Sequence, residues 1–563
     1  LCYKGKFGYD YPNSTSRIKK PYQKDVYKLK SVDDDSVYSE INSKLTKYKS
    51  DEIAIISSPR ASIEDNIGIL SLARKINTKN VSTAFLNNIP YYESINKRLG
   101  YLASTDSVWN LEKSECNLVI SSNITEENNL ISLPIKKASK ENSQLIVIDP
   151  REIDLTRYAK LWIKPVPGTE RLVVDTISKI IFDQNLEYKD LPSDQVDKFK
   201  KFMWNFDPVK ISSITRVPQE KLYEAAEIIS NSEKTTFTFG QDTVPASKTE
   251  DYVNSIYNLA VITDNLSGEG KGLYPTFNGI GTANFYSLFT DNKQPFTTTK
   301  EIVKDISNKK IKALIIFGDG INPDSLFENE LESITNNLDL MIYANHLKND
   351  LFEKSDYALP TKTYAEQEST IINIGGLIKT SPKMINPVSS SAMSIWEICE
   401  KIYEMKDIEI NNIKNSFLSK ISKNKNFINK PELSKNLSFN DSKVEENHNN
   451  VLYYSPGRIL NRPEEITVES EKEMNKITSP VRLSLHPNDA KAYNLTESSN
   501  VSIVDENGQV IINTEVVLDG DVEGMISSTD YFGRMVTDLE SNKNPDFSSL
   551  VPQLECKKIT IKK

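Results

Sequence analysis

The chain has 563 residues, a net charge of −9, 38% hydrophobic residues and 26% charged residues. This balance is that of a globular protein of roughly three to five domains, and the acidic excess argues against a surface that binds duplex nucleic acid. Its four cysteines form no CxxC pair and its three histidines stand far apart, which excludes a disulfide scaffold and a self-contained zinc ribbon. No apolar run approaches the roughly 18 residues of a membrane-spanning helix, so we expect no membrane span.

From about residue 37 the chain alternates between helical and strand patterns. Short apolar segments rich in β-branched residues predict strands at Glu52–Ser57, Asn117–Ile120, Leu145–Ile148, Lys234–Gly240, Lys312–Phe317, Leu338–Ala344 and Ser355–Leu359. Apolar residues at helical spacing predict helices at Ser36–Lys49, Asp65–Lys75, Leu130–Lys140 and Tyr252–Thr263. This order favours βαβ units and a parallel sheet covered on both faces. Because ligands sit at the carboxyl ends of such strands, we expect the functional site there.

The last third of the chain has two further patterns. Residues 407–450 are rich in Asn, Lys and Ser, which predicts a linker or mobile insertion, with one or two surface helices as the alternative. After Pro480, short strand patterns are separated by turns such as Asn507-Gly508, and a small β-barrel is expected.

A series of short phrases resembles the motifs of the molybdopterin oxidoreductase superfamily, in that family's order. The first is Cys2-Tyr3-Lys4-Gly5-Lys6-Phe7-Gly8, which is similar to a phrase whose Cys is the last ligand of a [4Fe–4S] cluster. The others are Ser122-Asn123, Asp149-Pro150-Arg151, Pro167-Gly168-Thr169-Glu170, Thr263–Gly268 with Asn278-Gly279, Gly318–Pro323, Ala358-Leu359-Pro360 with Ala365-Glu366, and Leu485–Ala490 with Gly524.

The resemblance implies an α/β fold with two parallel-sheet lobes and a C-terminal six-stranded-type β-barrel. It divides the chain into residues 1–36 (the end of a [4Fe–4S] region), 37–406 (the two lobes), 407–478 (linker or insertion) and 479–563 (the barrel). Cys2 would be a cluster ligand, and the other ligands would precede this chain, since such a cluster takes four thiolates.

In catalytic members of the family a loop after the second βα unit ligates molybdenum. The corresponding loop here, Val81–Pro90, contains no Cys and places Asn87 or Asn88 at the ligand position; Ser82 and Ser94 are the candidates if the register differs. A neutral amide is a poor ligand beside a thiolate. We therefore expect that molybdenum catalysis and molybdopterin are lost and that this chain has no catalytic residue.

If a pterin is retained, the resemblance assigns it the residues Lys4, Asn123, Asp149, Arg151 and Gly318. The alternative for Asp149 and Arg151 is a turn held by their own ion pair. Cys116 and Cys399 are expected to be buried structural thiols.

A family member without the metal ligand resembles the large iron–sulfur subunit of respiratory complex I, the NADH–quinone oxidoreductase. Its partners would be other peripheral-arm subunits, which would handle NADH and quinone, and it would lie in the cytoplasm, peripheral to the inner face of the membrane. The alternatives are a molybdopterin-dependent oxidoreductase of formate dehydrogenase type and an assembly scaffold without any cofactor.

Overall fold

A computed structural model describes most of the chain. The described residues are 11–26, 28–83, 86, 88–184, 191, 193–241, 243–277, 279–318, 334–403, 410–422, 426–439, 452–456, 483–505, 510–518, 525–528 and 557–562. Of the residues singled out in the sequence, the following lie outside this part: Cys2, Lys4, Asn87, Asn278, residues 319–323, Asn507, Gly508 and Gly524.

Of the fourteen strands that the structure describes in the α/β part, seven lie at or near the predicted positions and seven were not predicted. Those of the α/β part are β1 (Tyr22–Asp25), β2 (Lys28–Ser31), β3 (Ile53–Ser57), β4 (Val81–Thr83), β5 (Cys116–Ile120), β6 (Gln144–Ile148), β7 (Leu161–Ile163), β8 (Thr235–Phe239), β9 (Gly272–Pro275), β10 (Ala313–Phe317), β11 (Leu340–Asn345), β12 (Tyr357–Pro360), β13 (Ser369–Ile372) and β14 (Ile378–Ser381). The C-terminal strands are β15 (Leu452–Pro456), β16 (Leu483–Leu485), β17 (Asn500–Asp505), β18 (Val510–Val517), β19 (Met525–Ser528) and β20 (Lys557–Lys562).

Helices cover the sheets. The α-helices are Asp34–Leu45, Ile63–Ile76, Ile89–Leu99, Ile124–Glu127, Asn129–Glu141, Glu170–Asp183, Ser193–Met203, Pro208–Thr215, Gln219–Ser230, Thr249–Ile262, Ile280–Asp291, Thr299–Ser307, Asp350–Lys354, Ile395–Ile402, Ile410–Ile421 and Pro487–Ala492. Short 3-10 turns lie at Tyr11–Asn13, Ser50–Glu52, Val108–Lys113, Asp154–Tyr158 and Ala246–Lys248. Within the described part of the chain, no helix is long and apolar enough to cross a membrane.

Two open sheets form the α/β part. The seven-stranded sheet has the order β2-β1-β12-β11-β10-β3-β4, in which the strands from β12 to β4 are parallel to one another. At its edge, β1 pairs antiparallel with β12, and β2 pairs antiparallel with β1. The five-stranded sheet has the order β7-β6-β5-β8-β9 and is parallel throughout. In each sheet the strand order reverses once, between β3 and β10 and between β5 and β8. Such reversals leave a crevice at the carboxyl ends of the strands, where ligands bind.

The apolar runs of the central strands are explained by burial on both faces. Along β3, Ile53 and Ile55 join one buried cluster, whereas Ala54 and Ile56 join another on the opposite face. Alternate residues of a strand point to opposite faces, so a strand covered on both sides must be apolar at every position. The same arrangement holds for β10.

The six C-terminal strands form a curled sheet that closes in the order β15-β19-β16-β18-β17-β20. Leu483, Leu485, Val501, Ile503 and Val516 form its buried interior.

Part of the segment predicted as a linker or insertion is ordered. Ile410–Ile421 is a helix, which agrees with the alternative of a surface helix. Residues 426–439 then pack over neighbouring helices: Asn258 exchanges hydrogen bonds with the backbone of Ser438, and the ring of Phe439 stacks on Phe202 with centroids 4.8 Å apart. The domain boundaries proposed from the sequence remain predictions.

Candidate functional site

The crevice of the five-stranded sheet is built by small residues at the ends of β5 and β8. Ser121 has a positive φ of 49°, and its hydroxyl accepts a hydrogen bond from Thr243 at 2.8 Å. The Ser122 hydroxyl lies 3.1 Å from that of Thr276, which follows β9. A Cβ on Gly240 would stand 2.7 Å from the Ser121 carbonyl oxygen, so this turn requires glycine. These contacts fix the backbone at the reversal point.

A buried carboxyl group lies at the same edge. Glu170 is the first residue of the helix Glu170–Asp183 and is fully buried. Among the described residues, neither of its carboxyl oxygens has a hydrogen-bond partner of good geometry. Burial raises the pKa of Glu170 to about 8, and the Asp149 carboxylate adds to the rise, while the Thr243 hydroxyl and the Gly168 amide oppose it. A group in this state is suited to a ligand that brings hydrogen-bond donors.

Asp149 and Arg151 follow β6 and form a buried ion pair. The Arg151 Nε donates to Asp149 Oδ1 and its second guanidinium nitrogen donates to Oδ2, both at 2.9 Å, while the Arg151 amide also donates to Oδ1. The structure therefore contains the internally paired turn that was one of the two interpretations of this motif. A role of Asp149 and Arg151 toward a cofactor stays a prediction.

At the seven-stranded sheet the reversal point lies between Ser58, which follows β3, and Gly318, which follows β10. Gly318 has a φ of +58°, and a Cβ there would lie 3.0 Å from the Ser58 Cβ. Asn345 at the end of β11 donates from Nδ2 to the Gly318 carbonyl oxygen at 3.3 Å. This hydrogen bond fixes Gly318 at the carboxyl end of β10.

The two crevices lie next to each other. Tyr91, on the helix that follows β4 of the seven-stranded sheet, donates its hydroxyl to the carbonyls of Phe239 and Thr276 in the five-stranded sheet, at 3.0 and 3.1 Å. Gly281 approaches the turn after β3 so closely that a Cβ would be 2.4 Å from the Pro59 carbonyl oxygen. The carboxyl ends of both sheets therefore border a shared region.

The loop that corresponds to the molybdenum-ligating loop of catalytic members was expected to have lost its ligand; it runs from the end of β4 to the helix Ile89–Leu99. Asn88 is buried and donates from Nδ2 to the Thr249 hydroxyl at 3.1 Å, while its Oδ1 has no partner among the described residues. The Ser82 hydroxyl lies 3.0 Å from that of Thr299, and Ser94 donates to the Pro90 carbonyl within its own helix. The loop supplies no thiolate, and no step can be assigned to a metal ligand from it. In the described part of the chain, no group of three or more His, Cys, Asp or Glu side chains could hold a metal ion.

A buried ion pair joins the N-terminal segment to this edge of the seven-stranded sheet. Arg17 donates to both carboxylate oxygens of Glu366, at 2.7 and 3.3 Å, and also to the carbonyls of Pro12, His346 and Thr361. All five guanidinium N–H groups are thus used. The residues after the cluster phrase at Cys2 are held at the carboxyl ends of β11 and β12.

The structure places the predicted site residues on two neighbouring edges. Asn123, Asp149 and Arg151 lie at the five-stranded sheet and Gly318 at the seven-stranded sheet, whereas Lys4 and Cys2 are outside the described residues. The carboxyl of Glu170 was not assigned a role from the sequence. Glu170 was part of the Pro167–Glu170 motif at the start of a helix, so the sequence marked its position. Its burial, and the absence of a hydrogen-bond partner of good geometry among the described residues, became visible only in the structure.

Several buried polar atoms without partners lie around this shared region. Among the described residues they include Thr83 Oγ1, Asn88 Oδ1, Glu170 Oε1 and Oε2, Gln241 Oε1, Thr282 Oγ1 and Asn284 Nδ2. Native proteins leave few buried polar groups unsatisfied, and a cluster of them calls for a ligand or water. Their mixture of donors and acceptors fits an extended polar ligand such as a pterin dinucleotide. It does not provide the thiolate that would bind the metal.

Comparisons with known proteins bear on this region. The family model for molybdopterin oxidoreductases matches residues 17–405, well over half of the chain. The chain is 26% identical over 434 residues to the F420-dependent formate dehydrogenase subunit alpha of Methanocaldococcus jannaschii, covering 72% of this chain and 64% of that protein. It is 24% identical over 433 residues to the NADPH-Fe(3+) oxidoreductase subunit alpha of Geobacter sulfurreducens, covering 72% and 51%. The chain thus spans between half and two thirds of the length of these relatives.

Among solved structures, acetylene hydratase from Pelobacter acetylenicus is similar, with a TM-score of 0.71, 14% identity and coverage of 100% of this chain and 94% of that one. This similarity shows the fold alone. The matches to formate dehydrogenase subunits favour the formate dehydrogenase-type alternative over the complex I interpretation. They also weigh against the expectation that molybdopterin is lost. With its two parallel-sheet crevices and the family match across them, this chain belongs to the molybdopterin oxidoreductase family.

Proposed function

We infer that this chain is the molybdopterin-carrying part of a multisubunit oxidoreductase of formate dehydrogenase type. It would take two electrons from a small substrate such as formate, with release of carbon dioxide and a proton, and deliver them to iron–sulfur clusters. The observation that carries this proposal is Glu170 at the reversal point of the five-stranded sheet, a buried carboxyl group whose oxygens have no hydrogen-bond partner of good geometry among the described residues.

Glu170 would bind the base of a pterin-guanine dinucleotide. The guanine ring presents two neighbouring N–H donors, which would satisfy both carboxyl oxygens and draw the pKa of Glu170 below about 8, because hydrogen bonds to the charged form favour it. The orphaned Gln241 Oε1, which follows β8, would accept a further donor at the same edge. Both groups are costly without a ligand and useful with one.

Arg151 and Asn123 would position the polar parts of that dinucleotide. Asp149 holds the Arg151 guanidinium in one orientation through two parallel hydrogen bonds, which would keep its positive charge in a fixed place at the crevice. Asn123 occupies the N-cap position of the short helix Ile124–Glu127, after β5 and the serine turn, and its side chain makes no capping hydrogen bond. At the seven-stranded sheet, Gly318 would allow a second dinucleotide to approach the backbone closely.

When bound, the molybdopterin would supply a metal centre that accepts the electrons of the substrate. This chain would contribute burial and position rather than a thiolate ligand, since the loop between β4 and the following helix has no cysteine. Asn88 and Thr83 would border the metal centre with polar atoms that the protein leaves unpaired. The metal would then be held without a cysteine from this loop.

Electrons would leave toward the N-terminal side. The Arg17–Glu366 pair fixes the segment that follows the Cys2 phrase against the carboxyl ends of β11 and β12. A cluster ligated by Cys2 would thereby be kept near the crevice. Further subunits would receive the electrons. The relatives are each named as a subunit alpha, which supports the proposal of a multisubunit enzyme.

The test is formate-dependent reduction of a viologen dye by the full-length protein with its partner subunits. We expect activity in the wild type and its loss, with loss of bound pterin, in Glu170→Ala. The matched control is Asp183→Ala at the other end of the same helix, where the carboxylate is 61% exposed and pairs with Lys179. Equal activity of Glu170→Ala and Asp183→Ala would contradict the proposed role of Glu170.

The second candidate is the complex I-type subunit, which the thiol-free loop at Val81–Pro90 favours. It predicts that the protein purifies with NADH–quinone oxidoreductase subunits and that formate reduces no dye. That result would replace the formate dehydrogenase proposal.

A further inference from the structure

Two neighbouring tyrosines on the helix Ile89–Leu99 are equally buried but differ in their hydrogen bonds. Tyr91 and Tyr92 are both 0% exposed. The Tyr91 hydroxyl donates to the carbonyl oxygens of Phe239 and Thr276, whereas the Tyr92 hydroxyl has no hydrogen-bond partner among the described residues. A buried polar group costs free energy unless it is paired, so an unpaired one in a folded protein calls for an explanation.

The ring of Tyr92 is held beside the carboxyl end of β9. It stacks on Phe277, two residues after the end of this strand, with ring centroids 5.7 Å apart and an interplanar angle of 23°. It also stacks on Tyr286 of the helix Ile280–Asp291, at 5.5 Å and 26°. Tyr91 meets it edge-on at 6.0 Å. These contacts fix the position of the ring, while its hydroxyl keeps unused hydrogen-bonding capacity.

The chain just before Tyr92 carries further unused polar atoms. Asn88 is the N-cap residue of the same helix and stands about one helical turn before Tyr92. Its Oδ1, and the Oγ1 of Thr83 at the end of β4, are buried and have no partner in the part of the chain that the structure describes. The loop that the family resemblance places beside the metal therefore continues into a helix whose first turns also hold a spare polar group.

The Tyr92 hydroxyl can act only as a neutral phenol. Burial raises the pKa of Tyr92 well above its ordinary value of 10, so the group keeps its proton at physiological pH. A hydroxyl donor forms a stronger hydrogen bond with a charged oxygen than with a neutral one. A carboxylate oxygen is therefore a well-suited partner for it.

We propose that the Tyr92 hydroxyl binds the substrate, by donating a hydrogen bond to one of its carboxylate oxygens. This inference rests on the proposed function, because it takes a small carboxylate such as formate as the substrate. Tyr92 holds and orients the substrate and exchanges no proton with it. The protein bears the cost of an unpaired hydroxyl in the empty site because the substrate pairs with it in the occupied one.

The first test compares the Tm of Tyr92→Phe and Tyr91→Phe in the full-length protein without substrate. Tyr92→Phe removes a hydroxyl that has no partner, so its Tm should be at least that of the wild type. Tyr91→Phe is the matched control: it removes a hydroxyl that serves two carbonyl oxygens and should lower the Tm by about 2–4 °C. A lowered Tm of Tyr92→Phe would mean that the hydroxyl serves the protein itself, and overturns the proposal.

The second test measures formate-dependent dye reduction by the same variants with their partner subunits. Tyr92→Phe should raise the KM for formate about 10-fold or more, the effect of one hydrogen bond to a charged group, with the pterin content of the wild type. Tyr91→Phe should keep the KM of the wild type. An unchanged KM in Tyr92→Phe overturns the inference and leaves the proposed function standing. A wild type without formate-dependent activity contradicts the proposed function and, with it, formate as the ligand of Tyr92.

Discussion

The Arg17–Glu366 pair offers a sharp test of how the N-terminal segment is held. Both side chains are buried, with exposures of 0% and 1%, and all five Arg17 donors have acceptors. Glu366→Ala would leave the guanidinium charge buried without a counterion. Removing one partner of a buried ion pair typically costs about 3–5 kcal/mol. Here the cost should fall on the local structure around residues 361–388.

The amides of Thr363 and Val388 report on this structure, because both donate to the Glu366 carboxylate at 2.7 Å. Hydrogen–deuterium exchange followed by mass spectrometry should show peptides over residues 361–388 exchanging roughly 100- to several-thousand-fold faster in Glu366→Ala, which is the factor that 3–5 kcal/mol gives. Glu368→Ala, an exposed neighbour, is the control and should leave exchange nearly unchanged. The reasoning is refuted if both variants exchange alike.

Three further predictions concern the sheet edges and the buried thiols. Folding raises the pKa of Glu170 from its ordinary 4.5 to about 8, so between these pH values the cofactor-free folded protein holds a proton that the unfolded chain releases. The stability of the folded protein should therefore fall as the pH rises from 4.5 to 8. A pH series of Tm should show this fall, and Glu170→Gln should flatten it. Gly240→Ala forces a Cβ to within 2.7 Å of the Ser121 carbonyl oxygen and should destabilise the protein by about 1–3 kcal/mol. We expect a lower Tm and less bound pterin. An unchanged Tm would contradict the close approach. Burial raises the pKa of Cys116 to about 12 and that of Cys399 well above its ordinary value, so peptide mapping should find both unmodified by iodoacetamide until the protein is denatured.

Most of the sheet architecture could be predicted from local sequence. Segments such as Ile53–Ser57 and Ala313–Phe317 are apolar at every position because both of their faces are covered, and continuous apolar runs between helical segments are the signature of that arrangement. The antiparallel pair β1 and β2 was not predicted. The residues of these two strands are mostly exposed, and half of them are charged, so the sequence shows no periodic pattern of apolar residues there.

The helix Ile410–Ile421 shows where local sequence misleads. Its Asn, Lys and Ser residues favour a linker, and such a helix is marginal on its own. Tertiary contacts stabilise it instead: Phe417 and Leu418 are buried in the main core, and Lys414 reaches Glu64 on another helix. Glu64 lies 350 positions before Lys414 in the sequence, so no local pattern could reveal this contact.

The candidate site was predictable as a set of motifs but not as chemistry. The phrases around Asn123, Asp149 and Gly318 indicated which turns border the crevices. Arg151 is paired with Asp149, whereas Glu170 has no hydrogen-bond partner of good geometry among the described residues. This difference depends on burial and on distances between elements, which motif spacing does not encode. The absence of a cysteine in Val81–Pro90 was read from the sequence as loss of the cofactor, whereas the orphaned polar atoms at both sheet edges support its retention.

Whether the carboxyl ends of the two sheets hold molybdopterin is tested most directly by the pterin and metal content of the native, full-length protein. Oxidative release of the fluorescent pterin and elemental analysis for Fe, Mo and W would be normalised per chain. A bound pterin with about one Mo or W, together with iron, is the predicted result. Iron without pterin, Mo or W would contradict the proposal and support the complex I-type scaffold.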